Sequence, residues 1–410
     1  MLFVRNNMIN NKLKILYVDM GGVAVYSCDK TAGRVSNWAN IQNDVFLLLP
    51  GLITETAEKE ICNISKFPGK IKIITLPFSN KKRPSAPGII LSYSLRVLFS
   101  PLVLFKKLPR LDIGYSNSPV LVDIMPILIL KFFGRCKHWI LMFDSIVPRP
   151  SQRSGSKFIN IITFLESRFV LKLANHFATA IFTVNPVLKN EIIRLGVDKK
   201  KVLLSKNGLF INRIDKVASP KKKKYDGAYM GRITENKGVF DLILVWSELV
   251  KKNPKLKLAV MGTGRSDVVQ RFTDEIKRKK LKGNIDYLGY VTGDKKYQVF
   301  KSSKLFIFLS KVNADESWGI SLMEALACGT PAITYNLAIY KHVYDEDILQ
   351  ISKIGDVKSV MNKTFFFLNN GKERKKLSER SISFARQFDW FKIAKKDFGM
   401  MRKLLGARNT

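Results

Sequence analysis

The sequence predicts an α/β protein built from two Rossmann-like domains. Short apolar runs of strand length alternate along the chain with amphipathic stretches of helix length, which is typical of parallel sheets covered by helices. At 410 residues the chain is too long for a single hydrophobic core. Two of the strand-like runs, residues 14–19 and 225–230, lead directly into glycine-containing turns, as the first strand of a Rossmann-like domain does.

In the first half we expect strands at residues 14–19, 44–49, 71–76, 112–116, 139–143, 180–184 and 201–205. Gly21 and Gly22 follow the first of these strands, where a missing side chain lets a ligand approach the backbone; a plain tight turn is the alternative. Asp144 follows the strand 139–143. Because open α/β sheets bind ligands beyond the carboxyl ends of their strands, Asp144 is a candidate site residue. Its alternative role is that of a helix cap or turn former.

Residues 89–107 are apolar and rich in aromatic side chains, and they end in Lys106 and Lys107. We expect a helix buried in the first domain; a helix resting on a bilayer surface is the alternative. Arg96 and Pro101 interrupt the apolar stretch 89–105, which is shorter than the ~20 residues of a spanning helix. We therefore predict no transmembrane segment, and the apolar run 13–18 is too short for a signal peptide.

The second half begins with the strand 225–230 and the loop from Gly231 to Gly238, followed by a helix over 239–250. Arg232 and Lys237 lie on this loop, at the carboxyl end of a strand, where two cations can neutralise a diphosphate. Solvated charges on a turn are the alternative. Further strands are expected at 256–261, with Gly262 in the turn after it, and at 285–291, 304–309 and 331–334.

The stretch 314–331 joins the last two of these strands. Its apolar spacing predicts a helix that starts near Gly319 and ends at Gly329. The amide groups at its start, those of Trp318, Gly319, Ile320 and Ser321, can bind a diphosphate. Glu316 before the helix and Glu324 inside it can then accept hydrogen bonds from hydroxyl groups on either side of that anion. Two solvated surface carboxylates are the alternative.

The segment containing Glu316 and Glu324 closely resembles the paired-glutamate signature of the group 1 (family 4) retaining glycosyltransferases. The loop with Arg232 and Lys237 is similar to the Gly-Arg and Lys-Gly signature of the same family. The resemblance implies that Glu316 contacts the hydroxyls of the donor sugar and that Glu324 holds the nucleotide ribose. It also implies that Arg232 and Lys237 bind the donor diphosphate, and that the loop 292–295 flanks the donor.

The same resemblance implies the GT-B fold, with two Rossmann-like domains facing each other across a cleft. Residues 1–207 would form the N-terminal acceptor-binding domain and residues 208–383 the nucleotide-sugar donor domain. Residues 384–410 would contain a helix that returns to the N-terminal domain. The family usually has a histidine near Phe143 and Asp144; this chain has Asp144, which we expect to orient an acceptor hydroxyl.

The implied activity is retaining transfer of a hexose from a nucleotide-diphosphate sugar to a glycan or lipid-linked acceptor, in polysaccharide or glycoconjugate biosynthesis. We expect no cofactor beyond this co-substrate and no metal, and we interpret Asp345-Glu346-Asp347 as a solvated acidic turn. Three histidines and four scattered cysteines make a metal centre improbable and indicate reduced cytosolic thiols. A sugar-nucleotide epimerase or a phosphorylase on the same fold is an alternative enzyme.

The chain is strongly basic, with 70 Lys and Arg against 33 Asp and Glu and a net charge of +37. Such a charge attracts polyanions, including anionic membrane surfaces; a general habit of composition is the alternative. The basic residues form no recognisable nucleic-acid module, so nucleic acid is not an expected partner. We expect a cytoplasmic protein, peripheral on the inner face of the membrane. A non-catalytic polyanion-binding protein is the remaining alternative.

Overall fold

The structure is a computed structural model that describes residues 12–21, 29–41, 43–76, 86–152, 156–313, 316–345 and 347–406. Contacts between residues divide the chain into two compact units. The first unit contains Met1–Gly208 and Trp390–Thr410, and the second contains Leu209–Asp389.

The first unit is built on a seven-stranded parallel sheet with the strand order β3-β2-β1-β4-β5-β6-β7. Its strands are β1 (Lys14–Val18), β2 (Asp44–Pro50), β3 (Ile71–Leu76), β4 (Leu111–Ser116), β5 (Cys136–Phe143), β6 (Ala180–Thr183) and β7 (Val202–Leu204). Its helices up to residue 194 are α1 (Asp29–Asn40), α2 (Gly51–Ile64), α3 (Ala86–Lys107), α4 (Leu121–Phe132), α5 (Lys157–Phe177) and α6 (Pro186–Arg194).

The strand order fixes which helices share a face of this sheet. The chain steps one way from β1 to β3, and then returns and steps the other way from β4 to β7. Because such crossovers are right-handed, α1 and α2 cover one face while α3, α4 and α5 cover the other. The helices α3 and α4 pack against each other, and α4 also contacts α5.

The terminal helix of the chain, Trp390–Gly406, packs against α1 of the first unit. The Trp390 ring fills the space above Gly33 and Gly208, where an added Cβ would lie within 2.4 and 2.3 Å of ring atoms. Arg34 lies over the same ring at 5.1 Å and pairs with Asp397 at 3.5 Å. Glycine at both positions is therefore required by the indole ring.

The second unit contains a six-stranded parallel sheet with the order β10-β9-β8-β11-β12-β13. Its strands are β8 (Tyr225–Met230), β9 (Leu258–Met261), β10 (Ile285–Gly289), β11 (Ser303–Phe308), β12 (Ala332–Tyr335) and β13 (Leu349–Ser352). Its helices are α7 (Ile211–Lys216), α8 (Val239–Lys252), α9 (Ser266–Arg278), α10 (Asp294–Lys301), α11 (Ile320–Ala327), α12 (Tyr340–Val343), α13 (Val357–Asn369) and α14 (Gly371–Ala385), so that the terminal helix of the first unit is α15.

Two predictions about α3 are wrong, namely that its apolar stretch is shorter than the ~20 residues of a spanning helix and that the helix is buried. That it does not span a membrane stays a prediction. The helix continues through Arg96 and Pro101 for 22 residues, and among the described residues it is the one helix long and apolar enough to cross a membrane. Arg96 does not interrupt it because the side chain is buried against the sheet and donates to the carbonyl oxygen of Met20 at 2.7 Å. The helix is also not buried, since only 28% of its most apolar window is covered.

Candidate active site

The loop after β8 brings a lysine to the end of the neighbouring strand β11. Gly238 has a φ of 68°, and a Cβ built on it would lie 2.0 Å from the carbonyl oxygen of Leu309. Only glycine allows this approach. The amide of Lys311 donates to the carbonyl oxygen of Asn236 at 2.8 Å, which ties the loop to the same place. The preceding residue, Lys237, is therefore held at the carboxyl ends of β8 and β11.

Lys237 and Glu316 form an ion pair between the Nζ atom and Oε1. Their side chains are only 8% and 5% exposed, and the Lys237 ammonium also lies 5.8 Å from the centre of the Phe308 ring. A lysine ammonium has three N–H donors, so this one can bind Glu316 and a second anion together. The prediction from sequence named both residues, and the structure places them in direct contact.

Three buried tyrosines that we did not predict are affected by the Glu316 charge. Burial raises the pKa of Tyr229, Tyr340 and Tyr344 well above the ordinary value, and the Glu316 charge raises each of them further. Their hydroxyls therefore remain protonated donors. Tyr344 donates to the carbonyl oxygen of Trp318 at 3.0 Å, which anchors the loop before α11.

Arg232 lies on the same loop as Lys237, and its side chain is exposed. Its carbonyl oxygen accepts a hydrogen bond from the Tyr229 hydroxyl at 2.9 Å. The Arg232 charge lowers the pKa of Tyr229 and the Glu316 charge raises it, so both charges act on the same hydroxyl. The structure thus groups Arg232, Lys237 and Glu316 at one edge of the second sheet.

The helix α11 begins at Ile320, with Gly319 as a left-handed N-cap at φ 68° and ψ 57°. No side chain caps this end, which leaves the amides of the first turn, including that of Ser321, to other acceptors. The Trp318 ring is buried and packs edge-on against Phe388 at 5.3 Å. Trp318 can therefore offer a ligand its backbone amide but not its side chain.

Glu324 lies inside α11 and is almost fully buried. Its Oε1 atom accepts a hydrogen bond from Lys296 Nζ at 2.7 Å and another from the Tyr297 hydroxyl at 3.2 Å. Both partners come from α10, whose first two residues, Asp294 and Lys295, belong to the stretch 292–295 that we expected to be a loop flanking a donor. Lys296 was not predicted, although it directly follows the stretch 292–295.

Gly231 and Gly262 lie where the loops after β8 and β9 meet. Gly262 has a φ of 139°, and a Cβ built on it would lie 1.8 Å from the carbonyl oxygen of Gly231. The Tyr287 hydroxyl donates to the carbonyl oxygen of Gly262 at 3.0 Å. Close packing between the two loops therefore accounts for Gly262, and its contact with a ligand stays a prediction.

In the first unit, Asp144 is half-buried and forms an ion pair with Lys30 at 2.8 Å. Burial alone would raise the pKa of Asp144, but the Lys30 ammonium holds it below the ordinary value. Gly21 donates its amide to Asp123 Oδ1 at 2.9 Å and accepts a hydrogen bond from the Tyr93 hydroxyl at 2.5 Å. The backbone of Gly21, which we expected a ligand to approach, is thus hydrogen-bonded within the protein. Gly22 lies outside the described residues.

No group of three or more His, Cys, Asp or Glu side chains that could hold a metal ion occurs within the parts of the chain that the structure describes. Asp345 and Asp347 are exposed, while Glu346 lies outside those parts. Asp347 Oδ2 lies 3.9 Å from Arg380 Nη1.

Residues 210–384 match the family described as "Glycosyl transferases group 1". This segment carries the two buried ion pairs described above, Lys237–Glu316 and Lys296–Glu324. Residues 210–384 are a group 1 glycosyl transferase domain. The family resemblance predicted from the paired glutamates is thereby confirmed.

The similarity to curated relatives extends over more residues than this domain contains. An uncharacterized glycosyltransferase of Methanocaldococcus jannaschii is 25% identical over 58% of this chain and 62% of its own length. The O-antigen chain mannosyltransferase B of Escherichia coli is 23% identical over 52% of this chain and 58% of its own length. The chain therefore spans about three fifths of the length of these two relatives.

Solved structures share the fold over nearly the whole chain. Anabaena HepE, solved in complex with UDP and glucose, has a TM-score of 0.70 at 17% identity and covers 95% of this chain and 100% of its own. The sucrose-phosphate synthase of Thermosynechococcus elongatus has a TM-score of 0.75 at 15% identity and covers 97% and 100%. The glycosyl transferase domain and the first unit together therefore have the predicted GT-B fold of two α/β units.

Proposed function

We propose that the protein is a retaining glycosyltransferase that moves a hexose from a nucleotide-diphosphate sugar to a glycan or lipid-linked acceptor. The buried Lys237–Glu316 pair in the group 1 glycosyl transferase domain is the observation that carries this proposal. The names of the relatives support it, since one is a mannosyltransferase of an O-antigen chain and one solved neighbour was complexed with UDP and glucose.

In this proposal, Lys237 and Arg232 bind the donor diphosphate together with the amides at the start of α11. Fixed cations and dipoles stabilise the negative charge that develops on a leaving diphosphate, without the reorganisation that water would need. The Glu316 carboxylate accepts hydrogen bonds from the donor sugar while its contact with Lys237 holds it in place. Glu324, held by Lys296 and Tyr297, accepts hydrogen bonds from the ribose.

Metal independence and retention of configuration are part of the same proposal. Lys237, which contacts Glu316, and Arg232 on the same loop can supply the positive charge that a divalent ion supplies elsewhere. In a retaining, same-face reaction the leaving phosphate helps to deprotonate the acceptor hydroxyl. We assign acceptor recognition to the first unit, where Asp144 would orient the acceptor hydroxyl, and we place the protein on the cytoplasmic face of the membrane.

The proposal is tested in two steps with the full-length protein. A thermal-shift screen with UDP-, GDP- and ADP-sugars first identifies the donor, because a ligand that binds the folded state raises its melting temperature. Release of nucleoside diphosphate is then measured with glycan and membrane extracts as acceptors, with and without EDTA, and the anomeric configuration of the product is read by NMR. An altered nucleotide sugar, or transfer with inversion, would contradict the proposal.

A further inference from the structure

The helix α3 buries a largely polar stripe and exposes an apolar one, whereas a helix on the surface of a soluble protein usually buries its apolar stripe. Its inward stripe, at a spacing of four residues, contains three buried polar residues, Ser92, Arg96 and Ser100, followed by the buried Leu104. Arg96 donates to the carbonyl oxygen of Met20, as described above. Its outward stripe consists of large apolar side chains that are 43–67% exposed, namely Ile90, Leu91, Leu98, Phe99 and Leu102. Water is a poor environment for such a stripe.

The helix α5 exposes a second apolar stripe. Its buried positions include Asn160, Ser167 and Ala174. Its outward side chains recur at the spacing of one helical face and are 40–66% exposed, namely Phe158, Ile161, Ile162, Leu165 and Phe169. Two helices of one layer therefore present apolar faces outward.

The end of α4 lies between these two stripes. Phe132 is 84% exposed and Phe133 is 62% exposed. Phe133 contacts Phe105 of α3 edge-on at 5.5 Å, so the apolar surface continues from α3 onto α4. Of the 23 exposed large apolar side chains among the described residues, 13 lie on α3, at the end of α4 or on α5. Exposed apolar side chains clustered in this way differ from the singly scattered ones of ordinary protein surfaces.

Cations border the apolar surface. Lys106 and Lys107 are exposed at the end of α3, which contains no acidic residue. Lys157 is exposed at the start of α5, and Lys172 on its last turns. The whole chain carries a net charge of +37. Apolar side chains that can enter the acyl region, bordered by cations that can contact phosphate headgroups, fit an anionic bilayer.

We propose that the outer face of α3, α4 and α5 is a docking surface for an anionic lipid bilayer, with the three helices lying in the plane of the membrane interface. The packing of α3 favours this arrangement over a membrane-spanning one. Its polar stripe is buried against the rest of the first unit through Arg96 and Ser100, so α3 can span a bilayer only by leaving the sheet that it covers. The surface does not depend on the proposed transferase activity.

The proposal is tested by co-sedimentation of the full-length protein with vesicles of phosphatidylcholine containing about one third phosphatidylglycerol. We expect binding that falls about tenfold on vesicles of phosphatidylcholine alone, and also in high salt, because screening weakens the contacts with headgroups. The double substitution Leu98→Glu/Leu102→Glu places two carboxylates in the outer stripe of α3. It is expected to reduce binding at least tenfold.

The matched control is Leu244→Glu/Leu288→Glu, which changes two apolar side chains of the second unit that are each 39% exposed. Circular dichroism and donor-induced thermal shifts check that both variants fold. Equal loss of binding in the two variants, or binding that is indifferent to lipid charge, would overturn the proposal. So would a wild-type dimer that ignores vesicles and that Leu98→Glu/Leu102→Glu dissociates, because a second copy of the chain would then cover this face.

Discussion

Lys296 Nζ lies 2.7 Å from Glu324 Oε1, and the two side chains are only 6% and 5% exposed. The pair joins α10 to α11 and fixes a carboxylate that would otherwise be free to rotate within the helix surface. Because the Tyr297 hydroxyl donates to the same oxygen, the carboxylate is held from one side by two donors. The position of Glu324 in the site therefore depends on α10 as much as on its own helix.

Removing one partner of the Lys296–Glu324 pair leaves a buried charge uncompensated. We expect Lys296→Met and Glu324→Gln each to lower the free energy of unfolding by about 3 kcal/mol. The double variant should lose clearly less than the sum of the two, because it buries no unpaired charge. Denaturant unfolding of the four proteins measures this coupling. Strictly additive losses would show that the two side chains do not interact in solution.

Gly238 is expected to be essential for donor binding because its backbone lies close to Leu309. The effect of this close approach can be separated from the effect of its positive φ. In Gly238→Ala the new methyl group meets the Leu309 carbonyl oxygen at 2.0 Å, so the loop carrying Lys237 must move. Gly355→Ala is the matched control, since Gly355 has a φ of 82° and open space where the methyl group would lie. We expect the control to lose about 1 kcal/mol of stability and to keep its donor-induced thermal shift.

The outcome for Gly238→Ala is read from the same thermal-shift assay. Loss of the donor-induced shift, with a melting temperature no more than a few degrees below that of Gly355→Ala, is the predicted result. If the two variants bind donor equally well, the approach of the loop to β11 does not position the site.

Most of this protein's fold was predictable from sequence because buried parallel strands appear as continuous apolar runs. Strands such as β3 and β8 lie where the pattern placed them. The helices α9 and α14 were not predicted, and both are polar and strongly charged. The few buried residues of α14 give a weak periodic signal, whereas the apolar residues of α9 do recur at helical spacing, so α9 was predictable. The error at α3 had another cause, since its apolar face is exposed and apolarity alone does not tell which side a neighbour covers.

The candidate site was predictable only where residues fall within a motif. Glu316 and Lys237 are 79 residues apart in the chain, and their contact follows from the adjacency of β8 and β11 in the sheet. Tyr340 and Tyr344 follow no motif, and only the packing of α12 brings them near Glu316. A role for Lys296 in the site could have been predicted, because this lysine directly follows the stretch expected to flank the donor.

Stability is expected to fall with rising pH through Asp123. Burial raises the pKa of Asp123 to about 8, and the nearby Asp19 charge adds to this. The pKa of an aspartate carboxyl in the unfolded chain is about 3.9, so between this value and the folded pKa the folded protein holds an extra proton. The resulting stabilisation is complete below the unfolded pKa and is lost as the pH rises through the folded pKa, by up to about 1.4 kcal/mol per pH unit.

Asp123→Asn tests this assignment. The amide oxygen can accept the hydrogen bonds from Met20 and Gly21 as Asp123 Oδ1 does. The amide nitrogen takes the place of Oδ2, which accepts from the Ser118 hydroxyl, and that hydroxyl can rotate to accept from the amide instead. The melting temperature of the variant should therefore change less between about pH 6 and about pH 9 than that of the wild type. Parallel curves for the two proteins would show that Asp123 does not titrate in this range.

The most direct measurement is the transfer rate of Lys237→Met with the donor identified by the screen. We predict a fall of about a hundredfold, equivalent to roughly 3 kcal/mol of barrier, in a protein that remains folded. Lys304→Met is the matched control, because Lys304 pairs with Asp226 at 2.7 Å at the opposite, amino-terminal edge of the same sheet. Near-normal transfer by Lys237→Met, or an equal loss in Lys304→Met, would contradict the assignment of the site.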